Sequence, residues 1–454
     1  MKELKFYVMA DPHFFASELG CSGDEYEDFM HYEQKCFAET ESINNSVFEF
    51  LKKADEADII LIVGDLIFNG EKKSHEGFLK LLESLKNHGK KIYVVTADHD
   101  FKWNEGETFA FGKDGRYSPE HTEREELTKL YADYGFGDAI AIDKDHLSYV
   151  AQLSDDVRLL AINCDLKENG KYYFYPEQIE WIKEQTAKAR EDGQMMFAMC
   201  HYPIIPGQPL FSIISPMVIR DAHKFATFLA DEGVSMIFTG HMHNQSINFI
   251  ETEKGNKLYD ITTGSIIADP AFIRLVTIKD KNTVDIKSIA TPDFEWDTKG
   301  RTCKEYLSDM FDRMIVNVLT DMRDDTIRMM NKFHLEDKGA TKKILGLAGK
   351  FICSVKVGTM ARLLFIRCDK SIRKMRVLDY ATELVRGAFE GNQSFTEGTP
   401  KGDVFLALLR RIRFILKKVN VKGWDGKKAD LYDILKNTAG NYGVDDYNAT
   451  INLK

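Results

Sequence analysis

The sequence predicts an α/β protein in two unlike parts: strands alternating with helices first, then a mostly helical remainder. Three observations carry that prediction. Apolar runs at 58–63 and 195–200 read as strands buried on both faces. Segments with helical spacing of apolar residues lie between such runs, and beyond residue 300 the helical spacing dominates. Charge divides at the same place. Residues 1–300 carry 32 Lys and Arg against 52 Asp and Glu, a net of −20, while 301–454 carry 29 against 19, a net of +10. A chain of 454 residues is also long for one core. The expected domains are therefore 1–295 and a basic helical domain, 300–454, with Thr291–Gly300 as the nearest thing to a linker.

Leu4–Met9 is the first strand and ends at Asp11-Pro12-His13. Val47, Phe50, Leu51 and Ala54 mark at least one helix between 26 and 54. The strand at 58–63 ends in Gly64-Asp65-Leu66, with Asn69-Gly70 turning the chain. Ser74 is expected to cap a helix that carries Phe78, Leu82 and Leu85 and stops near Gly89. The third strand, 91–96, ends in Ala97-Asp98-His99-Asp100. An aromatic loop follows from Phe101 to Tyr117, and Ser118-Pro119-Glu120 is expected to open a helix reaching about Tyr134.

Strands at 146–153 and 157–163 read as a hairpin, Pro176–Arg190 as an amphipathic helix, and Met195–Cys200 as a strand leading into His201. A helix around 218–230 precedes Met236-Ile237-Phe238-Thr239-Gly240-His241-Met242-His243. Alternating segments at 247–251, 257–263, 272–278 and 284–289 read as antiparallel strands closing a sheet. The helical part runs from Leu307 and Phe311 through 344–353, 360–366, 378–389 and 404–419.

Seven scattered cysteines without a Cys-x-x-Cys argue for reduced thiols, against a disulfide framework or a zinc ribbon. The apolar stretch Phe6–Ala10 is too short for a signal peptide, and no run approaches the ~20 residues that span a bilayer. The expected location is the cytoplasm, with no membrane partner.

Five strand ends carry potential metal ligands: Asp11 with His13, Asp65, Asp98, His201, and His241 with His243. Taken singly each has an ordinary explanation, since an Asp after a strand usually caps a turn and a surface His-x-His is usually solvated. Ligands of strand–helix proteins bind beyond the carboxyl ends of the strands, so groups distant in sequence meet there. Mixed imidazole and carboxylate donors suit Mn, Fe or Zn better than Ca or Mg. Seven donors exceed one tetrahedral ion and fit two ions ~3.5–4 Å apart that share a carboxylate, clamp a phosphoryl group and supply hydroxide near neutral pH.

Asp11-x-His13, Gly64-Asp65, Ala97-Asp98-His99-Asp100, His201 and Gly240-His241-x-His243 together resemble the signature blocks of the calcineurin-like metallophosphoesterases, in the family's order. The resemblance implies a β-sandwich with flanking helices and a phosphoesterase with two metal ions. It implies that Asp11, His13, Asp65 and His243 hold one ion, and that Asp65, Asp98, His201 and His241 hold the other. His99 would protonate the leaving oxygen and Asp100 would orient it, or His99 serves only as a hydrogen-bonding neighbour of the metal ligands. This chain has Ala97-Asp98 where the family usually has Gly-Asn. Asp adds a full negative charge, and Ala requires a negative φ or strain there.

Gly64-Asp65-Leu66 to Gly70 and His201-Tyr202-Pro203-Ile204 resemble the cyclic nucleotide phosphodiesterase branch, which implies a small cyclic phosphodiester as substrate. Phe101, Trp103, Phe109, Phe111 and Tyr117 would then stack a base, or they simply pack their own loop. A competing reading makes the basic half, with Arg410, Arg411, Arg413, Lys417 and Lys418, the nucleic-acid grip of a nuclease or the accessory part of a phosphomonoesterase. Those charges also suit a plain solvated helix face, or one docked on the acidic half or capping the site. A third reading is a non-catalytic, metal-bound scaffold.

Overall fold

The computed structural model describes residues 1–103, 108–168, 171–213, 219–333, 335, 339–391, 395–439 and 445–453. Two sheets stack face to face, as the α/β sandwich reading requires. One has six strands in the order Asn448–Asn452, Thr283–Ala290, Phe272–Ile278, Leu4–Met9, Ile59–Val63, Lys91–Val95. The other has seven, in the order Ser246–Glu251, Lys257–Thr262, Met236–Thr239, Met195–Cys200, Val157–Ile162, Ser148–Ser154, Ala141–Asp143. Leu4–Met9, Ile59–Val63 and Lys91–Val95 run parallel. So do Val157–Ile162, Met195–Cys200, Met236–Thr239 and Lys257–Thr262.

Aromatic side chains on the facing surfaces lock the sheets together. Phe6 stacks on Phe197 at 5.1 Å and meets Phe238 edge-on at 5.5 Å, geometries that add to the burial of the rings. Helices Thr40–Lys53 and Lys72–Asn87 pack with the first sheet's side of the core through Ile43, Val47, Leu51, Phe78, Leu82 and Leu85. Pro176–Glu191 and Ala222–Asp231 pack through Ile182, Phe225 and Leu229. Val218, where the last of these was expected to begin, lies outside the described residues.

Two expectations are corrected. Ser74 does not cap its helix: the cap position is Glu71, and the Ser74 hydroxyl accepts from the Ala16 amide across the fold. No continuous helix runs from Glu120 to Tyr134. The Thr122 amide donates to Gly70 and its carbonyl accepts from Lys102, which holds this stretch extended before three short helical turns, Arg124–Glu126, Leu127–Leu130 and Ala132–Tyr134. The chain beyond 300 is mostly helical, as expected, with short strands besides. Its final strand, Asn448–Asn452, pairs antiparallel with Thr283–Ala290 and completes the edge of the first sheet, burying Ile451.

The helices after 300 pack along the sandwich. Tyr306 of helix Cys303–Asp324 donates to the buried Glu39 carboxylate at 2.6 Å, and Ser308 donates to Asp269. Asp269 is almost fully buried, and burial, reinforced by Glu390, pushes its carboxyl up to about 7. The folded chain therefore holds a proton that the unfolded chain releases near pH 4. Stability contributed by this group is full below that pH and is lost as pH rises towards 7. Asp269→Asn, which keeps the acceptor for Ser308, should flatten that slope and raise stability at pH 8 by roughly 1–4 kcal/mol relative to wild type. Urea unfolding at pH 4.5 and pH 8 checks both parts.

Candidate metal centre

Every sequence-derived site residue lies at the carboxyl ends of the parallel strands, where the two sheets' edges meet. The backbone there is held in an unusual state. Asp11, His13, Asp65, His241 and His243 all have left-handed φ, between 38° and 63°, a conformation costing of order 1–3 kcal/mol each for residues with a Cβ. Cross-links between the strand ends enforce it. The amides of Asp11 and His13 donate to Gly64 and Asp65, and the Gly240 amide donates to His201. The Asp11 carboxylate accepts from the His241 amide at 3.0 and 3.1 Å.

Two glycines make room for this crossing. A Cβ on Gly64, whose φ is +77°, would lie 2.5 Å from His201 Nδ1, and one on Gly240 would lie 2.4 Å from an Asp11 carboxylate oxygen. Ala97, by contrast, is extended at φ −143°, so alanine is accommodated without strain in place of the family's glycine.

The donor atoms converge in three overlapping groups: Asp11, His13 and His243; His13, Asp65 and His99; and Asp65, His201 and His241, each within 4.8 Å. His13 Nε2 and His243 Nε2 are 3.1 Å apart, and the Asp65 carboxylate lies 3.4 Å from His13 and 3.1 Å from His201. The imidazoles are aimed by their outer nitrogens. His201 Nδ1 donates to the Val63 carbonyl at 2.8 Å, His243 Nδ1 is 3.2 Å from the Gln34 side-chain oxygen, and His99 Nδ1 donates to the Phe68 carbonyl. Each bond turns the opposite nitrogen inward, the arrangement that orients metal-binding histidines.

Burial and the positive charge of Lys35 hold His13 well below the usual imidazole range. Burial and His201 bring His241 down to about 4. Both are neutral and offer lone pairs. Burial alone would raise Asp65, but the imidazoles of His201, His99 and His13 outweigh it and keep the carboxyl ionised. Burial would likewise lower His201, but the Asp65 and Asp11 carboxylates push it up to about 10. His201 Nε2 and one Asp65 carboxylate oxygen are buried without a hydrogen-bond partner. Orphaned donors of this kind, ionised carboxylate among imidazoles, fit a pair of transition-metal ions.

Asp98 stands apart from the three groups. Its oxygens accept from the hydroxyls of Tyr202, at 2.7 Å, and Tyr172, and Lys167 Nζ lies 3.5 Å away. The extra negative charge is thus met by a lysine and two phenols.

The expectation that Asp100 orients His99 is wrong. The buried Asp100 carboxylate accepts from the amides of Ala97, at 2.8 Å, and Ile67, at 3.0 Å, and so ties two strand ends together. His99 takes its orientation from the Phe68 carbonyl and the Asn69 side chain, 2.8 Å from Nδ1.

Sequence reasoning missed Gln34, Lys167 and Tyr172, which lie in loops or short strands with no pattern to mark them. Tyr202 and Asn69 were visible only as neighbours of His201 and of the Gly70 turn. The helical half also reaches this region. Met242, between the two histidines, is buried against Phe211, Ala388 and Phe389, and the Gln245 amide donates to the Phe389 carbonyl.

Gly64→Ala is expected to displace His201 and cost roughly 1–3 kcal/mol, with urea unfolding and metal content measured on the same preparation. Unchanged values in both would show that the ring does not need this close approach.

Residues 4–245 match the family model described as calcineurin-like phosphoesterase. No curated protein matches the sequence. Among solved structures, a dimetal phosphatase from Danio rerio is similar at 12% identity over 63% of this chain and 95% of that one, with a TM-score of 0.43. A purple acid phosphatase from yellow lupin seeds is similar at 14% identity over 64% and 52%, TM-score 0.39. An NAD nucleotidase from Haemophilus influenzae is similar at 12% identity over 79% and 62%, TM-score 0.36. With more than half of its length matched by the family model, and with the signature blocks gathered at the sheet ends, this chain belongs to the calcineurin-like phosphoesterases.

Proposed function

We propose that the protein hydrolyses small phosphodiesters, with 3′,5′-cyclic nucleotides as the substrate class, at a dinuclear Mn, Fe or Zn centre. The observation that carries this reading is the convergence of inward-turned imidazoles on the Asp65 carboxylate. Asp11, His13, Asp65 and His243 form one ligand set. Asp65, His201 and His241 form the other, with Asp98 beside it. Asp98 Oδ2 accepts from both Tyr172 and Lys167, but Oδ1 keeps a second lone pair beyond its Tyr202 bond, so the carboxylate remains available to that set.

A metal pair held there neutralises phosphate charge and acidifies water. The remaining work falls to the chain's own side chains. As the imidazolium, His99 is positioned to deliver its Nε2 proton to the departing oxygen and return to the neutral Nδ1–H form, because Phe68 and Asn69 hold Nδ1–H outward. Asp100 keeps the strand ends in register and so sets where His99 stands.

Of the aromatic loop, Phe101, Phe109 and Phe111 are buried, the latter two in a cluster with Phe29. Tyr117 donates to the Leu19 carbonyl. Packing therefore accounts for most of the loop. Trp103 packs on Phe101 at 5.6 Å but also reaches the site: Lys167 Nζ sits 4.6 Å from its ring and 3.5 Å from Asp98, so Trp103 is the loop residue placed to stack a base.

Hydrolysis of cyclic AMP, an aryl phosphodiester, an aryl phosphomonoester and single-stranded DNA should be compared with added Mn²⁺. The reading expects the diesters to be favoured, and a preference for the monoester or for DNA would replace it. His99→Ala should lower turnover about 10²–10⁴-fold with metal content intact, most for the poorest leaving group. Trp103→Ala should raise KM for the cyclic nucleotide roughly tenfold and leave the aryl diester unchanged.

A further inference from the structure

The basic helical half carries an apolar surface that the phosphoesterase reading leaves unused. Phe365 is 85% exposed, Leu363 62%, Phe414 66% and Ile415 52%. They belong to one surface, since the Arg411 guanidinium of helix Pro400–Leu416 donates to the Phe365 carbonyl at 2.9 Å. That helix buries Val404, Phe405, Leu406 and Leu409. Its last turns project Arg410, Arg411, Phe414 and Ile415 outward on i, i+4 spacing. Helix Ala340–Ser354 repeats the pattern, with Ile344, Leu347 and Phe351 exposed among Lys343 and Lys350.

The sequence around these side chains is one-sided in charge. Residues 340–368 contain six Lys and Arg and no Asp or Glu, and residues 404–422 contain six and none. Exposed aliphatic and aromatic side chains framed by cations are the pattern of surfaces that lie in the headgroup region of a bilayer. A bare solvated helix has no use for the apolar residues. A nucleic-acid backbone would use the cations but gains little from exposed Leu363 and Ile415. A second copy packed patch to patch would bring two clusters of like charge together.

We propose that this surface docks on an anionic phospholipid membrane, with Phe365, Phe414 and their aliphatic neighbours entering the interface and the surrounding Lys and Arg meeting lipid phosphates. Charge complementarity sets the orientation: the basic half faces the lipid and residues 1–300, at −20, face away. No described helix is long and apolar enough to cross a membrane, and a surface that lies on one requires none. Docking of this kind departs from the sequence expectation of no membrane partner, which rested on the lack of a signal peptide and of a spanning run.

The test is sedimentation of the full chain with vesicles of phosphatidylcholine alone and of equimolar phosphatidylcholine and phosphatidylglycerol. Binding should occur only to the mixed vesicles and weaken in high salt. The Phe365→Ser/Phe414→Ser variant should bind at least about tenfold more weakly, with hydrolysis of a soluble aryl phosphate ester and urea unfolding unchanged. Lack of binding to the anionic vesicles, or binding indifferent to both lipid charge and the variant, would overturn the proposal. So would a wild-type dimer that the double variant dissociates, or tighter binding of single-stranded DNA than of vesicles.

Discussion

The structure depends on one constraint: parallel strands of two sheets must deliver their carboxyl ends to a single point. Five side chains reach that point only because the backbone beneath them bends into the left-handed region. Such strain persists where the surroundings over-determine it. Here the surroundings are strand-end amides bonded from one turn to the next, from Asp11 and His13 to the Gly64–Asp65 turn and from Gly240 to His201. Behind them, Phe6 against Phe197 and Phe238 keeps the sheets from sliding. The fold and the ligand cluster are thus one mechanical unit.

Polar groups around the cluster divide into those that face inward and those that hold them. The Val63 and Phe68 carbonyls and Gln34 take the outer nitrogens of His201, His99 and His243. Asp100 looks like part of the catalytic block in sequence, yet it spends both oxygens on backbone amides. Asp98 differs from the family's amide, and the chain surrounds it with Tyr172, Tyr202 and Lys167. An extra charge in a buried site needs a partner, and Lys167 supplies it.

Much of this was legible in the sequence because strand-end motifs are local. Leu4–Met9, Met195–Cys200 and Phe272–Ile278 have the bounds that apolar patterning predicts, and six of the seven metal-ligand candidates meet as their positions imply. What was hidden depends on contacts distant in sequence. A short polar strand such as Asn448–Asn452 has no strong alternation, and its partner Thr283–Ala290 lies far upstream. The stretch from Ser118 to Tyr134 has a helix-opening proline, but bonds from Thr122 to Gly70 and Lys102 override local propensity. The partner of His99 was misassigned because adjacency in sequence put Asp100 beside it, whereas Asp100 bonds the Ala97 and Ile67 amides and His99 bonds Phe68 and Asn69.

The measurement that bears most directly on the central claim is the metal content of the purified full chain, compared with that of Asp65→Asn. A shared carboxylate at the meeting point of the sheets predicts about two transition-metal ions per wild-type chain and loss of metal in a variant that remains folded. A folded wild type that takes up no Mn, Fe or Zn, or an Asp65→Asn variant that retains the full complement, would contradict the account.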